Sequence, residues 1–224
     1  MRSPGRAMLI VALAVAAIVG AGLPGNGQWL HWLAKPLATL LIASIAWRAV
    51  PPAAAGYRRA VLAGMALSCI GDIALMLPMD AFVPGLVAFL LAHLCYIVAF
   101  RAGLGGGGGL IGAALLLGAF ACGNVVALWP HLPADMRVPV LAYVVVLALM
   151  AILALARHWA RPALPGVARA GSAWAAGGAV LFVASDCLLA WDRFGGGLPM
   201  ASLLVLSTYY AAQYGIARSV GRRG

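Results

Sequence analysis

Long apolar runs alternate with short polar breaks along the whole chain. A membrane-spanning helix needs about 20 mostly apolar residues. The runs predict eight of them, at 7–23, 29–49, 59–78, 82–101, 109–129, 138–156, 172–191 and 199–217. The breaks carry Pro, Gly and charged residues, as in PGNGQ at 24–28, PPAAAGYRR at 51–59, WPHLPADMR at 129–137 and DRFGGGLP at 192–199. Such clusters interrupt regular structure. The predicted fold is all-α: one membrane domain over 1–224, a polytopic bundle of eight transmembrane helices. Pro36 and Pro84 fall inside spans and are read as kinks. The first run follows Arg2 and Arg6 as in a signal peptide, but its exit GAGLPGNG lacks a small-x-small cleavage pattern, which favours a retained helix. Five glycines at 105–109 follow no strand and read as a connector rather than a phosphate loop.

Composition agrees with the pattern. The chain is 65% hydrophobic and 9% charged, with a mean hydropathy of +1.02. A soluble domain carries about 25% charged residues, so the chain reads as an integral membrane protein. Its net charge of +10 does not point to nucleic acid, because the basic residues come in ones to threes between apolar runs. That is how arginines are spread over short cytoplasmic loops. With the N-terminus inside, the inner segments hold twelve arginines: 2, 6, 48, 58, 59, 101, 157, 161, 169, 218, 222 and 223. The outer loops hold two, Arg137 and Arg193, with Asp80, Asp135 and Asp192. Both termini are therefore expected in the cytoplasm, and the expected location is a bacterial inner membrane. The four cysteines lie in apolar runs without CxxC spacing and read as small buried thiols.

Three charged residues remain inside the spans: Lys35, Asp72 and Asp186. Each costs about 2.5–3.5 kcal/mol at a span centre, and such residues usually face a bundle interior or cavity. The orientation places all three roughly 8–9 Å below the outer boundary, at about 1.5 Å per residue. Asn124 and Tyr143 fall in the same layer, Ser68 lies one turn below Asp72, and Ser185 adjoins Asp186. His93, Thr208 and Tyr209 are deeper, with Tyr96 and Gln213 a further turn down; His31 is one turn above Lys35. A lone Tyr, Asn or His in a span is usually helix–helix glue, whereas a layer built by several helices points to a site. Asp72 and Asp186 stand 114 positions apart, in GDIAL and SDCLL. Two parallel four-helix halves would bring these carboxylates face to face.

Lys35–Pro36, SCIGDIALM at 68–76, GLVAFLLAHLCYIVAF at 85–100 and SDCLLAWDRF at 185–194 occur in an order that resembles the YhhN family, which includes the lysoplasmalogenases. The resemblance covers essentially the whole chain. It implies an eight-span enzyme that hydrolyses the vinyl-ether bond of an alkenyl lysophospholipid to a fatty aldehyde and a glycerophospho-alcohol. It also implies a site containing Lys35, Asp72, His93 and Asp186. The chemistry suits the residues. Two carboxylates with one ammonium favour one retained proton, and vinyl-ether hydrolysis needs an acid and a carboxylate around an oxocarbenium ion. Which aspartate is the acid is left open. His93 and Tyr209 are candidates to orient water or bind the headgroup, and the cavity is expected to open toward the outer face. Without a paired-His spacing no metal is expected, and no cofactor. The rival reading is a proton-coupled transporter using Asp72, Asp186 and Lys35 as a relay.

Overall fold

A computed structural model of the chain describes residues 4–23, 25–50, 54–77, 81–102, 104, 107–160 and 169–221. Arg2, Asp80, Gly105, Gly106, Arg161, Arg222 and Arg223 lie outside the described residues. The chain forms an all-α bundle of α1 (Pro4–Ala21), α2 (Gln28–Trp47), α3 (Ala55–Met76), α4 (Phe82–Phe100), α5 (Gly108–Leu128), α6 (Arg137–Trp159), α7 (Arg169–Phe194) and α8 (Ala201–Arg218). Among the described residues, α1 to α7 are each long and apolar enough to cross a membrane. The eighth predicted span corresponds to α8, which carries Ser202, Ser207, Thr208 and Gln213 and is not in that apolar set. Large side chains such as Leu40, Ile70, Leu115 and Val145 stand exposed on the outside, as expected where the solvent is hydrocarbon.

Each of α2, α3, α6 and α7 packs on the helix that precedes it and the helix that follows it. Two further contacts, α4 on α6 and α8 on α2, close a six-helix ring of α2, α3, α4, α6, α7 and α8. Helix α1 lies outside α2 and α8, and α5 lies outside α6. Most of this pattern is unchanged when every helix is exchanged with the one four places later. The main difference among the described residues is that α1 reaches α8, whereas α5 has no comparable contact with α4; the slight α3–α8 and α5–α7 contacts also lack counterparts.

Small residues let the ring close tightly. Gly64 lies under the ring of Tyr96 and Gly71 under that of Phe89. At the crossing of α7 and α8, Gly178 faces Gly215, and a Cβ on Gly178 would lie 2.8 Å from the Ala212 carbonyl oxygen and the Ile216 nitrogen. Phe182 occupies the middle of the ring, its centroid 4.7 Å from His93 and 5.6 Å from Tyr209. The turn into α8 uses Gly196 and Gly197 at φ of 96° and 91°, conformations that only glycine adopts without strain. Asp192 pins that turn by accepting the Leu198 N–H at 3.0 Å.

Two sequence expectations are corrected. Pro84 does not kink its span: α4 begins at Phe82, so Pro84 sits in the first turn, where a missing N–H costs nothing. Helix α7 runs to Phe194, so Asp192 and Arg193 belong to its last turn rather than to a loop.

The adjacent pair Gly177 and Gly178 tests this packing. Gly178→Ala forces a methyl group against backbone atoms and is expected to cost about 1–3 kcal/mol. Gly177 has nothing within 4 Å of its would-be Cβ, so Gly177→Ala is expected to be neutral or to stabilise by up to about 1 kcal/mol. Thermal unfolding in detergent checks both, and equal melting temperatures would contradict the close α7–α8 approach.

Candidate active site

Asp72, 2% exposed at its side chain, receives three donors. Lys35 Nζ lies 3.5 Å from Oδ1, while Thr39 Oγ1 donates to Oδ2 at 2.8 Å and the Tyr209 hydroxyl at 2.6 Å. The helices explain the meeting. Lys35 and Thr39 are one turn apart on α2, Asp72 faces them from α3, and Tyr209 reaches across from α8. Behind Tyr209 the donors run in one direction. Ser68 faces Tyr96 at 3.4 Å, the Tyr96 hydroxyl donates to Gln213 Oε1 at 3.1 Å, and Gln213 Nε2 donates to Tyr209 at 3.2 Å. All these groups are buried, and each of these polar side chains has at least one partner that lowers the cost of removing it from water.

Asp186 has a different set of partners. The Tyr143 hydroxyl donates to its Oδ2 at 2.5 Å, and His93 Nε2 lies 2.9 Å from that hydroxyl and 3.4 Å from the same Oδ2. Since Tyr143 gives its proton to the carboxyl group, His93 must donate to Tyr143 through Nε2. Its Nδ1 is buried and without a hydrogen-bond partner among the described residues. Oδ1 of Asp186 has no hydrogen-bond partner among the described residues, and the side chain is 12% exposed.

The two arrangements are related by the four-helix offset. Lys35 on α2 and Tyr209 on α8 serve Asp72 on α3, and Tyr143 on α6 and His93 on α4 serve Asp186 on α7. One carboxyl group therefore has a cation where the other has a phenol. No hydrogen bond joins the two aspartates among the described residues; both instead line a cavity of about 230 Å³ with His31, Lys35, Asp192 and Ser202. Asp186 also lines a second, largely apolar cavity between α4, α5, α6 and α7.

The remaining predicted residues divide. Ser185 lines the polar cavity and donates to the Val205 carbonyl at 3.0 Å. Ser68 is buried one layer behind, on Tyr96. Asn124 lines the apolar cavity, its Oδ1 accepting from Cys187 Sγ at 2.9 Å and Trp191 Nε1 at 3.3 Å. Thr208 is a correction: its hydroxyl donates to the Leu204 and Val205 carbonyls of its own helix, so it belongs to neither carboxyl group. His31 donates through Nδ1 to the Ala17 carbonyl at 2.8 Å and ties α1 to the rim. Among the described residues no three His, Cys, Asp or Glu side chains are grouped as metal ligands.

A model of the YhhN family matches residues 30–220, which include every group of both arrangements. The chain belongs to the YhhN family. Human lysoplasmalogenase TMEM86B is 40% identical over 197 residues, 87% of this chain and 77% of its own. The pig lysoplasmalogenase TMEM86B is 37% identical over 200 residues, with the same two shares. A lysoplasmalogenase of Mycobacterium bovis is 35% identical over 162 residues, 70% of this chain and 58% of its own. No solved structure matches.

Thr39 is the residue of this YhhN protein that the sequence reading missed. The available signal was its position one turn from Lys35, on the face that Lys35 presents to α3. The Lys35–Asp72 pairing predicts a specific stability pattern. Lys35→Met removes the counter-ion of a buried carboxylate and is expected to cost about 3–5 kcal/mol. Lys35→Met/Asp72→Asn, which removes the charge as well, should recover most of that loss. Thermal melts in detergent compare the variants, and a double variant no more stable than Lys35→Met would contradict the pairing.

Proposed function

We propose that this protein hydrolyses the vinyl-ether bond of lysoplasmalogens in the membrane, with Asp186 as general acid and Asp72 as the carboxylate partner. The observation that carries the reading is the position of Asp186, whose carboxyl group borders both the polar and the apolar cavity. A lysolipid has the same two parts, a polar headgroup and one hydrocarbon chain, and the vinyl ether lies where they join. The printed names of the human and mycobacterial relatives support this substrate class.

The partner sets support the division of roles. Lys35, Thr39 and Tyr209 all donate to Asp72, the environment of a carboxylate, which only accepts. Among the described residues Asp186 has no lysine or arginine beside it, and its Oδ1, without a hydrogen-bond partner among them, can carry a proton toward the cavity. In the first step that proton passes to the alkene carbon farther from the ether oxygen. The alkene electron pair forms the new C–H bond and leaves an oxocarbenium ion. Asp72 and the newly ionised Asp186 offset its charge. Water then adds to the cationic carbon and loses a proton to a carboxylate. In the hemiacetal the bond to the glycerol oxygen breaks, that oxygen takes a proton, and the hydroxyl loses one to give the aldehyde. Asp186 is thereby reprotonated.

Purified protein incubated with an alkenyl lysophosphatidylethanolamine in D2O tests the chemistry by mass spectrometry. The expected product is a fatty aldehyde with one deuterium on the carbon next to the carbonyl. Asp72→Asn and Asp186→Asn are each expected to lower turnover by about 10²–10⁴-fold. Uptake of intact lipid into vesicles with no aldehyde would overturn the reading in favour of a transporter.

The arginine distribution supports a topology with both termini in the cytoplasm and the cavity toward the outer face. A periplasm-active reporter is expected to work within residues 131–135 and a cytoplasm-active one after Arg223. The opposite pattern would reverse the orientation.

A further inference from the structure

We infer that the hydrocarbon chain of the substrate reaches Asp186 sideways from the bilayer, through a portal between α4 and α5. The inference rests on the reading of the substrate as a single-chain lipid.

The bundle is least symmetric at this place. Helix α1 seals its side by packing on both α2 and α8, but its counterpart α5 packs on α6, lightly on α7, and makes no comparable contact with α4 among the described residues. The apolar cavity fills the space left over. Along α5 its wall is formed by Leu117, Phe120, Ala121, Asn124, Val125 and Leu128, a single helical face with the spacing of an i, i+3, i+4 stripe. Leu117 and Leu128 are eleven residues apart, so the wall runs roughly 16 Å along the helix axis at about 1.5 Å per residue. Asn124 does not interrupt the apolar wall. Its oxygen is occupied by Cys187 and Trp191, and its Nδ2 donates to the Phe120 carbonyl at 3.1 Å.

The outer end of the cavity is closed to a chain descending from the water side. Phe82 and Phe194 meet edge to face at 5.6 Å, and the Arg193 guanidinium covers Phe82 at 5.2 Å from its centroid. Leu128, Leu132 and Val140 are buried in a cluster packed by Trp191 and Phe194. The α5 side differs: Phe120 lines the cavity yet is 46% exposed, which sets its ring between the cavity and the lipid. A chain entering past Phe120 meets Tyr143 and Asp186 on the opposite wall, so the occupant is fixed by continuity with the carboxyl group that must act on it.

The test uses a non-hydrolysable alkyl lysophospholipid with a diazirine in its chain. The full-length protein is reconstituted in phosphatidylethanolamine–phosphatidylglycerol vesicles and adducts are mapped by mass spectrometry. Labelling is expected on the 82–89 segment of α4 and the 117–128 segment of α5, reduced by excess alkenyl lysolipid. Phe120→Trp, which narrows the opening, should raise KM for a long-chain substrate in vesicles by about tenfold, equivalent to about 1.4 kcal/mol. Adducts confined to outward positions such as Leu115 and Leu116, without competition, would overturn the portal even if aldehyde is released. Competable labelling of α4 and α5 in a protein that releases no aldehyde would keep the portal and remove the hydrolase reading instead.

Discussion

A carboxylate inside a helix bundle in hydrocarbon is stable only if its charge is matched and its lone pairs are occupied. In this protein Asp72 imposes that constraint, and much of the ring follows from meeting it. Lys35 supplies the charge from α2, Thr39 and Tyr209 supply hydroxyls from α2 and α8, and a file of donors from Ser68 to Gln213 fixes Tyr209 in turn. Four helices, α2, α3, α4 and α8, are thereby held at one register. The crossing of α7 and α8 at Gly178 and Gly215, and Phe182 between His93 and Tyr209, transmit that register to the second carboxyl group.

The second group occupies an equivalent place with the charge taken out. Tyr143 and His93 come from the helices four places on from those of Lys35 and Tyr209, so both carboxyl groups are held, but among the described residues only Asp72 faces a lysine. Pairs of titratable groups in contrasting environments are how one site holds an acid and a base together at one pH. The repeated architecture thus supplies two copies of one arrangement, and replacing a single cation by a phenol makes them chemically unequal.

The charged residues were legible in the sequence because their cost in a span leaves few reasons to keep them. Span ends, helix rise and the arginine distribution together led to the expectation that Lys35, Asp72 and Asp186 share one depth. Residues with weaker penalties were not separable in that way. Thr39 and Thr208 are the same residue type at similar depth, yet one donates to Asp72 and the other to its own backbone; the difference lies in which face meets a neighbour. The apolar cavity left no trace in the sequence, since the apolar side chains that line it have the same composition as those that face lipid. Pro84 was misread because the span boundary, not the proline, decides whether a ring disturbs the helix.

The central claim is that Asp186 holds a proton while Asp72 is ionised. Infrared difference spectroscopy of the purified protein at neutral pH reads this through the C=O stretch of a protonated carboxyl group, with its shift in D2O as the assignment. The account predicts that this band is present in the unaltered protein and in Asp72→Asn and absent in Asp186→Asn. A band that survives in Asp186→Asn and disappears in Asp72→Asn would contradict it.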